Sequence, residues 1–285
     1  MLCLLPFALA WDLARKLFAL VLTNDTFSHI PLIPLISAYL IYANRNRIFS
    51  NVSLEPVAGS GVFILGLILV VVTRLNIGQL ISTNKETLFV LGTVYIWVGS
   101  FIIFCGTRAF RSACFPLLFL LFAVPIPEPL LSHVISFLQR GSADVTEVFL
   151  NLGGVPCLRH DLIFALPGVS IRVAEECSGI RSTLALLITS ALASYLFLKT
   201  GWRRMILVLA VVPMAIIKNG LRIAGLTLLS IYVDPGFLTG NLHRRGGIVF
   251  FVIALVPMAL LLILLERGEK PMGSQHSENP LIEQT

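Results

Sequence analysis

The chain has 285 residues and is too apolar for a water-soluble globule, with 56% hydrophobic residues, 13% charged residues and a mean hydropathy of +0.90. Soluble domains carry about 25% charged residues. The net charge of +6 does not indicate a nucleic-acid partner, because the basic residues fall in short pairs between apolar segments and form no basic stripe interleaved with aromatics. This composition predicts an all-α polytopic membrane protein.

The apolar segments set the predicted membrane spans. A helix of roughly 20 residues crosses a hydrocarbon core of about 30 Å. Seven segments predict spans: 28–43, 57–73, 87–105, 113–126, 177–198, 205–231 and 247–265. An eighth, 2–22, contains charged residues, which leaves open whether it spans, and it lacks the basic start and cleavage site of a removable signal peptide. We expect about eight transmembrane helices in a single domain, residues 1–267.

Basic residues between the spans predict the orientation. Retained cytoplasmic loops carry an excess of Lys and Arg. On this rule the cytoplasmic segments are 44–56, 106–112, 199–204 and the tail from Glu266, and the outward segments are 24–27, 74–86, 127–176 and 232–246. The end of the tail, residues 268–285, is polar and unpatterned, which predicts disorder.

The one long segment outside the spans, 127–176, changes its pattern half-way. From Glu128 to Leu150 the apolar spacing favours an amphipathic helix that lies on the membrane surface in contact with lipid. From Leu162 to Val173 apolar and polar residues alternate around Pro167-Gly168, which predicts a small β-hairpin with a Pro-Gly turn.

The five cysteines show no metal-ligand spacing. No CxxC or His-x-x-x-His pair is present in the sequence, and structural zinc sites use such spacings. We therefore predict no metal and no organic cofactor. One cysteine, Cys177, stands out because of its place at the start of a span.

Cys177 lies in the segment Val173-Ala-Glu-Glu-Cys-Ser-Gly-Ile-Arg-Ser182, which opens an apolar helix. A helix N-terminus and Arg181, four residues further on, both favour a thiolate. Glu175 and Glu176 act in the opposite direction unless arginines engage them. The alternative interpretation is that Cys177 is a small buried apolar residue.

Two further clusters hold polar residues within or beside spans, where charge is costly and marks a candidate site. Lys218 and Arg222 are four residues apart in apolar sequence. For Lys218 we favour snorkelling to the lipid headgroups, and Arg222 is equally compatible with snorkelling and with a role in a site. His243 precedes the last span and is a candidate acid or base, although a single loop histidine is more often without function.

These segments together resemble the signature regions of the exosortase/archaeosortase family. The matching residues are Glu176-Cys-Ser-Gly-Ile-Arg-Ser182, Asn219-Gly-Leu-Arg222 and His243, with weaker matches at Phe27-Ser-His-Ile30 and Pro125-Ile-Pro-Glu-Pro129. The resemblance covers roughly residues 24–265. Archaeal relatives have an arginine where this chain has His243, so the resemblance is to bacterial exosortases.

The resemblance implies a function for each segment. Cys177 is then the nucleophile, Arg222 stabilises the transition state, and His243 is the general acid and base; the supporting residues are Arg181, Ser178, Glu176 and Asn219. The implied enzyme is a cysteine peptidase or transpeptidase of the bacterial inner membrane, with its active site on the extracytoplasmic side. Its partners are exported proteins that carry a C-terminal sorting signal with a Pro-Glu-Pro-like motif. Hydrolysis and transfer are both compatible with the sequence, which makes no prediction of the oligomeric state.

Two other hypotheses belong to different classes. A transporter or polysaccharide-export partner would use Lys218 and Arg222 to line a path and would need no thiol chemistry. A structural disulfide between Cys157 and Cys177 would give the second cysteine a purely architectural role.

Overall fold

The computed structural model describes residues 28–75, 84–166, 169–174, 178–238 and 241–269. The chain forms two compact units, residues 1–134 and 135–285. The apolar segment 2–22, the loop 24–27 and residues 270–285 of the predicted tail lie outside the described residues. The predicted single domain and the predicted disorder of the tail stay predictions.

Helices make up the first unit. Among the described residues, six α-helices begin in it: α1 (Leu32–Ala43), α2 (Arg45–Ile48), α3 (Pro56–Leu75), α4 (Lys85–Ser112), α5 (Cys114–Phe119) and α6 (Glu128–Leu152). A 3₁₀ turn, Leu120–Ala123, follows α5. The helix α6 starts in the first unit and continues into the second.

Helices α3 and α4 pack with their backbones in direct contact. A Cβ atom added to Gly66 would lie 2.6 Å from the carbonyl oxygen of Gly92, and one added to Gly99 would lie 2.5 Å from the backbone nitrogen of Phe63. Real Cβ atoms do not approach other atoms this closely. Small residues allow membrane helices to approach until their backbones touch, so glycine on each helix fixes how closely this pair can pack.

The predicted loop 106–112 is helical, which corrects the sequence analysis. Helix α4 continues to Ser112 across a kink at Gly106, whose φ of 85° and ψ of 168° are not helical. A kink frees carbonyl groups from the helix ladder. Here the backbone N–H groups of Ser53 and Glu55 donate to the carbonyls of Cys105 and Ile103, at 3.3 and 3.0 Å. The segments 44–56 and 106–112 therefore lie at the same end of this unit, as the orientation argument requires.

The second unit combines a small sheet with helices. Besides the rest of α6, its described elements are β1 (Leu158–His160), β2 (Ile163–Leu166), β3 (Val169–Arg172), α7 (Ile180–Phe197), α8 (Gly201–Leu209), α9 (Val211–Tyr232), a 3₁₀ turn (Pro235–Leu238) and α10 (Asn241–Arg267). Buried side chains of α7 to α10 form one apolar core, which includes Leu186, Leu207, Val211, Ala254 and Met258.

The predicted hairpin is confirmed and has a third strand. Strands β2 and β3 pair antiparallel, with Phe164 opposite Ile171, and β1 pairs with the other edge of β2, with Leu158 opposite Ala165. The Pro167-Gly168 turn lies outside the described residues. Phe164 is 1% exposed and packs in a core with Leu150 of α6. The strand β1 was missed because three residues are too few to show alternation.

The predicted all-α polytopic fold is confirmed. In the described part of the chain, five helices are long and apolar enough to cross a membrane, or six if the bent pair Cys114–Ala123 and Glu128–Leu152 is one span. The predicted span 28–43 contains only the twelve residues of α1. Segment 113–126 does not run straight into α6, because the chain bends by 88° at the break before Glu128. The predicted amphipathic helix is α6, which ends at Leu152; its position on a membrane surface stays a prediction.

The start of the predicted tail contacts the loop before α8. The Glu269 carboxylate accepts backbone N–H groups of Lys199 and Thr200, at 2.9 and 2.8 Å. These hydrogen bonds lower the pKa of Glu269 to about 2. Arg203 donates to the carbonyl oxygen of Leu265 at 2.8 Å. The segment 199–204 and the chain after Glu266 are therefore on one side of this unit, as predicted.

Candidate active site

The first turn of α7 is fixed by its own hydroxyl groups. Gly179 precedes the helix with a left-handed φ of 72°. Its carbonyl oxygen accepts the hydroxyls of Ser182 and Thr183, each at 2.9 Å. Ser178 is 1% exposed, and its hydroxyl oxygen accepts the backbone N–H of Ile180 at 3.4 Å. The two residues that follow Cys177 in the sequence therefore have defined positions.

Three consecutive residues of α9 bond to other helices. The Lys218 ammonium donates to the Ser182 hydroxyl of α7. The Asn219 side-chain amide donates to Ser142 of α6 at 3.1 Å, and the carbonyl of Gly220 accepts the Thr146 hydroxyl of α6 at 3.3 Å. We call Lys218, Asn219 and Gly220 the polar hub.

Four of the five side chains that form these bonds are buried: Lys218 is 4% exposed, Asn219 1%, Ser142 0% and Thr146 1%. The fifth, Ser182, is half-buried. Buried polar groups are stable only when they are hydrogen-bonded, so these contacts fix α9 against both α6 and α7.

Two glycines make the polar hub possible. A Cβ on Gly220 would lie 2.6 Å from a methyl group of Val145. A Cβ on Gly179 would lie 2.9 Å from Oδ1 of Asn219, and its left-handed φ also favours glycine. The chain just after Cys177 therefore lies directly against the polar hub.

The other end of the cysteine segment is anchored as well. The backbone N–H of Val173 donates to the carbonyl of Leu162 at 2.9 Å, and its own carbonyl accepts the side-chain amide of Gln139 at 3.0 Å. Gln139 is 6% exposed and lies on α6. Val173 therefore contacts α6 and Gly179 contacts α9.

A charged group binds the sheet to α6. Arg159 of β1 contacts Asp144 at 2.7 Å and Glu147 at 2.9 Å. The guanidinium also lies 5.7 Å from the ring centroid of Phe164. Burial opposes the charge of Arg159, but the hydrogen bonds to the two carboxylates outweigh burial and raise its pKa. This contact stabilises the sheet that leads into the cysteine segment.

The predicted site residues are described to different extents. Cys177 and Glu176 lie outside the described residues. Arg181 is the exposed second residue of α7, and Arg222 is half-buried, one turn after Lys218 on α9. The structure gives the backbone of His243, in the first turn of α10. Of the predicted residues, it places Asn219 directly against Gly179, the residue that follows Ser178.

Two interpretations from the sequence are wrong. Lys218 does not snorkel, because its ammonium bonds to Ser182 inside the unit. Cys157 is a free thiol, and its Sγ lies 3.7 Å from Oδ1 of Asn151, so the structure contains no disulfide between Cys157 and Cys177. Burial, and next the charge of Glu147, raise the pKa of the Cys157 thiol.

Sequence reasoning also missed three hydroxyl partners of the polar hub. Ser142 and Thr146 are four residues apart on α6, a spacing that places both on one helix face, and this could have indicated a polar contact. Ser182 ends the motif that contains Cys177. In the described part of the chain, no group of three or more His, Cys, Asp or Glu side chains could hold a metal ion.

Comparison with known proteins identifies the family. A profile described as transmembrane exosortase matches residues 21–260. The chain belongs to this family. The resemblance seen in the sequence is thereby confirmed, and with its apolar helices this exosortase is a multi-pass membrane protein. Neither the search of curated proteins nor the search of solved structures finds a match.

Proposed function

We propose that this exosortase is a cysteine peptidase or transpeptidase that cleaves C-terminal sorting signals from exported proteins. The observation that carries the proposal is the anchoring of the cysteine segment. Val173 on one side and Gly179 on the other are both held by buried contacts to α6 and α9. These contacts support the proposal because a nucleophile needs a fixed position, and a misplacement of about 1 Å can reduce a rate a hundredfold.

The proposed reaction starts with the thiolate of Cys177. Its sulfur attacks the scissile carbonyl carbon and forms a carbon–sulfur bond, while the carbonyl electrons move to the oxygen. The guanidinium of Arg222 stabilises this oxyanion. As the carbon–nitrogen bond breaks, His243 gives a proton to the leaving amine, and a thioester remains on Cys177. Water or an acceptor amine then attacks the thioester and restores the thiol.

Four other residues support this site in the proposal. Ser178 and Asn219 are both buried, and Asn219 lies against Gly179, so together they fix the chain that follows the nucleophile. Arg181, in the first turn of α7, adds positive charge near the thiolate. Glu176 precedes the nucleophile in the sequence and is the matching motif residue.

The partners and the location follow from the family and from the charge pattern. We propose that the site faces the extracytoplasmic side of the bacterial inner membrane, because the basic loops of the sequence lie at the opposite ends of its spans. The substrates are exported proteins whose C-terminal signal combines a Pro-Glu-Pro-like motif with a membrane helix. Membrane lipid surrounds the exosortase and the substrate helix.

The test is co-expression with a tagged exported protein that carries such a signal. We expect wild type to shorten the substrate, and Cys177→Ala to abolish the change in size without reducing the amount of exosortase in the membrane. Cys157→Ala is the matched control, because it removes a free thiol of the same extracytoplasmic segment and should leave processing intact. Processing that persists in Cys177→Ala contradicts the thiol mechanism.

A further inference from the structure

The strand β3 is an edge of the sheet with open hydrogen-bonding groups. The strand order is β1-β2-β3, so within the described chain β3 pairs with β2 alone. In an antiparallel pair, residues that exchange hydrogen bonds alternate with residues whose N–H and C=O groups point away from the partner strand. The backbone N–H of Val173 donates to the carbonyl of Leu162, and this bond fixes the alternation along β3.

The alternation assigns the open groups to Ser170 and Arg172. The next bonded pair along the ladder joins Ile171 to Phe164, so the N–H and C=O groups of the residues on either side of Ile171 point to the free edge. The carbonyl of Arg172 accepts the N–H of Ala174 at 3.0 Å. From the described residues, no other hydrogen bond reaches these groups. Ser170 therefore presents its N–H and its C=O, and Arg172 presents its N–H.

The side chains of the same two residues lie on the exposed face of the sheet. Ile171 packs against the buried core that contains Phe164, and neighbours in a strand point to opposite faces. Ser170 and Arg172 are both exposed. In the described part of the chain, Arg172 forms no ion pair, and the carboxylates of α6 that contact the sheet bind Arg159 of β1 instead. The free edge thus carries a guanidinium that is available to an anion.

These groups restrict what can cover the edge. Lipid tails cannot, because they offer no partner to an open N–H or C=O group. A second copy of this chain would bring another β3, and Val169–Arg172 contains one arginine and no carboxylate. An extended peptide of another protein adds a strand to an edge through its main chain, and a carboxylate on that peptide would also match the charge of Arg172.

The Pro-Glu-Pro-like motif of the proposed substrates has the pattern that such an edge accepts. Proline has no N–H and is found in strands mainly where its nitrogen faces away from the ladder. In an extended chain, the glutamate turns its N–H and C=O towards the partner strand, while the prolines on either side turn theirs away. The residue before a proline is also biased towards extended backbone.

We propose that the free edge of β3 binds this motif as an added antiparallel strand, with the glutamate opposite Ser170 and its carboxylate on Arg172. Ser170 exchanges both backbone hydrogen bonds with the glutamate. Arg172 lies on the same face of the sheet as the diagonal neighbour, which a long side chain can reach. This inference rests on the proposed function only in taking the Pro-Glu-Pro-like motif as the ligand.

The test measures binding of a peptide and not processing. The probe is a short fluorescent peptide with Pro-Glu-Pro at its centre, and its anisotropy is followed as full-length protein in lipid nanodiscs is added. We expect the wild-type protein to bind the probe. N-methylation of the glutamate nitrogen should weaken binding about tenfold, since it removes one backbone hydrogen bond. Absence of wild-type binding, or equal binding of the methylated probe, overturns the proposal.

A matched pair of variants at Ser170 tests the edge. Ser170→Pro removes the N–H that points to the free edge, and it leaves the bonds between β3 and β2 in place because this N–H takes no part in them. It should weaken binding about tenfold. Ser170→Ala keeps the N–H and should bind the probe like wild type. Equal affinities in the two variants overturn the proposal.

A charge reversal tests the contact with the carboxylate, and it decides the question if Ser170→Pro does not reach the membrane. Arg172→Glu should bind the Pro-Glu-Pro probe about tenfold more weakly and should prefer a Pro-Lys-Pro probe. His160→Glu is the control, because this exposed residue lies on the same face but across Ile163, on the opposite edge strand. It should keep the preference of the wild type. An unchanged preference in Arg172→Glu overturns the proposal.

Two further outcomes separate this site from the alternatives. A dimer that Ser170→Pro dissociates, seen by light scattering in the absence of probe binding, would mean that a second copy occupies the edge, and it overturns the proposal. Binding of the probe at the edge without any processing in co-expression would contradict the proposed function and leave the binding site standing. Processing that Cys177→Ala abolishes, without binding of the probe, would do the reverse.

Discussion

Two groups of helices in this exosortase are held together by opposite means. In the first unit, α3 and α4 meet through glycines, with backbone against backbone. In the second unit, α9 meets α6 and α7 through the side chains of the polar hub. Close packing resists separation of two helices, whereas hydrogen bonds between side chains fix their register. Close glycine packing therefore suits a scaffold, and hydrogen bonds between side chains suit a site where single atoms must be positioned.

The largest expected effect comes from a side chain placed between α3 and α4. Gly99→Val puts atoms where the backbone of Phe63 already lies, 2.5 Å from the Cβ position. Because main chain cannot give way as a side chain can, we expect the free energy of unfolding to fall by about 3 kcal/mol. The measurement is thermal unfolding in detergent, together with the amount of protein in the membrane.

Gly61→Val is the matched control, since no atom lies within 4 Å of its Cβ position. It should unfold like wild type. The Gly99→Val protein that does reach the membrane should retain its rate of processing per molecule. A variant that is abundant and stable but inactive would contradict the assignment of this helix pair as scaffold.

A smaller loss of stability and a larger loss of rate are expected at the polar hub. Asn219→Ala removes the amide that donates a hydrogen bond to Ser142. The buried Ser142 hydroxyl then lacks this donor, and we expect the free energy of unfolding to fall by about 2 kcal/mol. Displacement of the chain after Cys177 should reduce processing per molecule by about a hundredfold. Thr227→Ala is the control, because this buried hydroxyl bonds within its own helix, to Ile223, and its loss should leave the rate unchanged. Equal losses of rate in the two variants would contradict the role of the polar hub.

The smallest effect concerns one carboxylate in each unit. Hydrogen bonds from backbone N–H groups of Lys199 and Thr200 lower the pKa of Glu269 from 4.5 to about 2. A hydroxyl of Ser53 and groups of Thr107 lower the pKa of Glu55. A carboxyl group whose pKa is lower in the folded state than in the unfolded state stabilises the folded protein at a pH above its ordinary pKa. This stabilisation is lost as the pH falls through the pKa of the folded state.

Glu269→Gln should therefore lower Tm at pH 7, and its difference from wild type should narrow as the pH falls below about 4.5 towards 2. Glu55→Gln should show a weaker dependence of the same sign, because its carboxylate accepts one backbone N–H, that of Thr107. Thermal unfolding in detergent across this pH range makes the comparison. A difference in Tm that does not change with pH would contradict the assignment.

The sequence predicted the elements better than the contacts between them. Apolar length predicted the helices that became α3, α7 and α10, and alternation predicted the pairing of β2 with β3. Both are local patterns. The kink at Gly106 was missed because it depends on Ser53 and Glu55, which are far away in sequence.

In the candidate site too, the sequence predicted residues that stand out locally but not the contacts between distant residues. Motif residues around Cys177 and Arg222 could be selected because a charge or a thiol in apolar sequence is conspicuous. Ser142 and Thr146 could not be, because serine and threonine are common in membrane helices, and what distinguishes these two is contact with Asn219 and Gly220. Lys218 was misinterpreted because the sequence does not show that Ser182, at the start of α7, is within reach.

The polar hub also has a consequence for the order in which the protein is made. Ser142 precedes its partner Asn219 by 77 residues, and Ser182 precedes its partner Lys218 by 36 residues. A ribosome synthesises the acceptors first, and a lone serine hydroxyl is far easier to insert into a bilayer than an ammonium. When the lysine and the asparagine are synthesised, both partners are already part of the chain. Exchanging Lys218 with Ser182 would keep the same bond in the finished protein, but it would insert the charge before its acceptor had been synthesised.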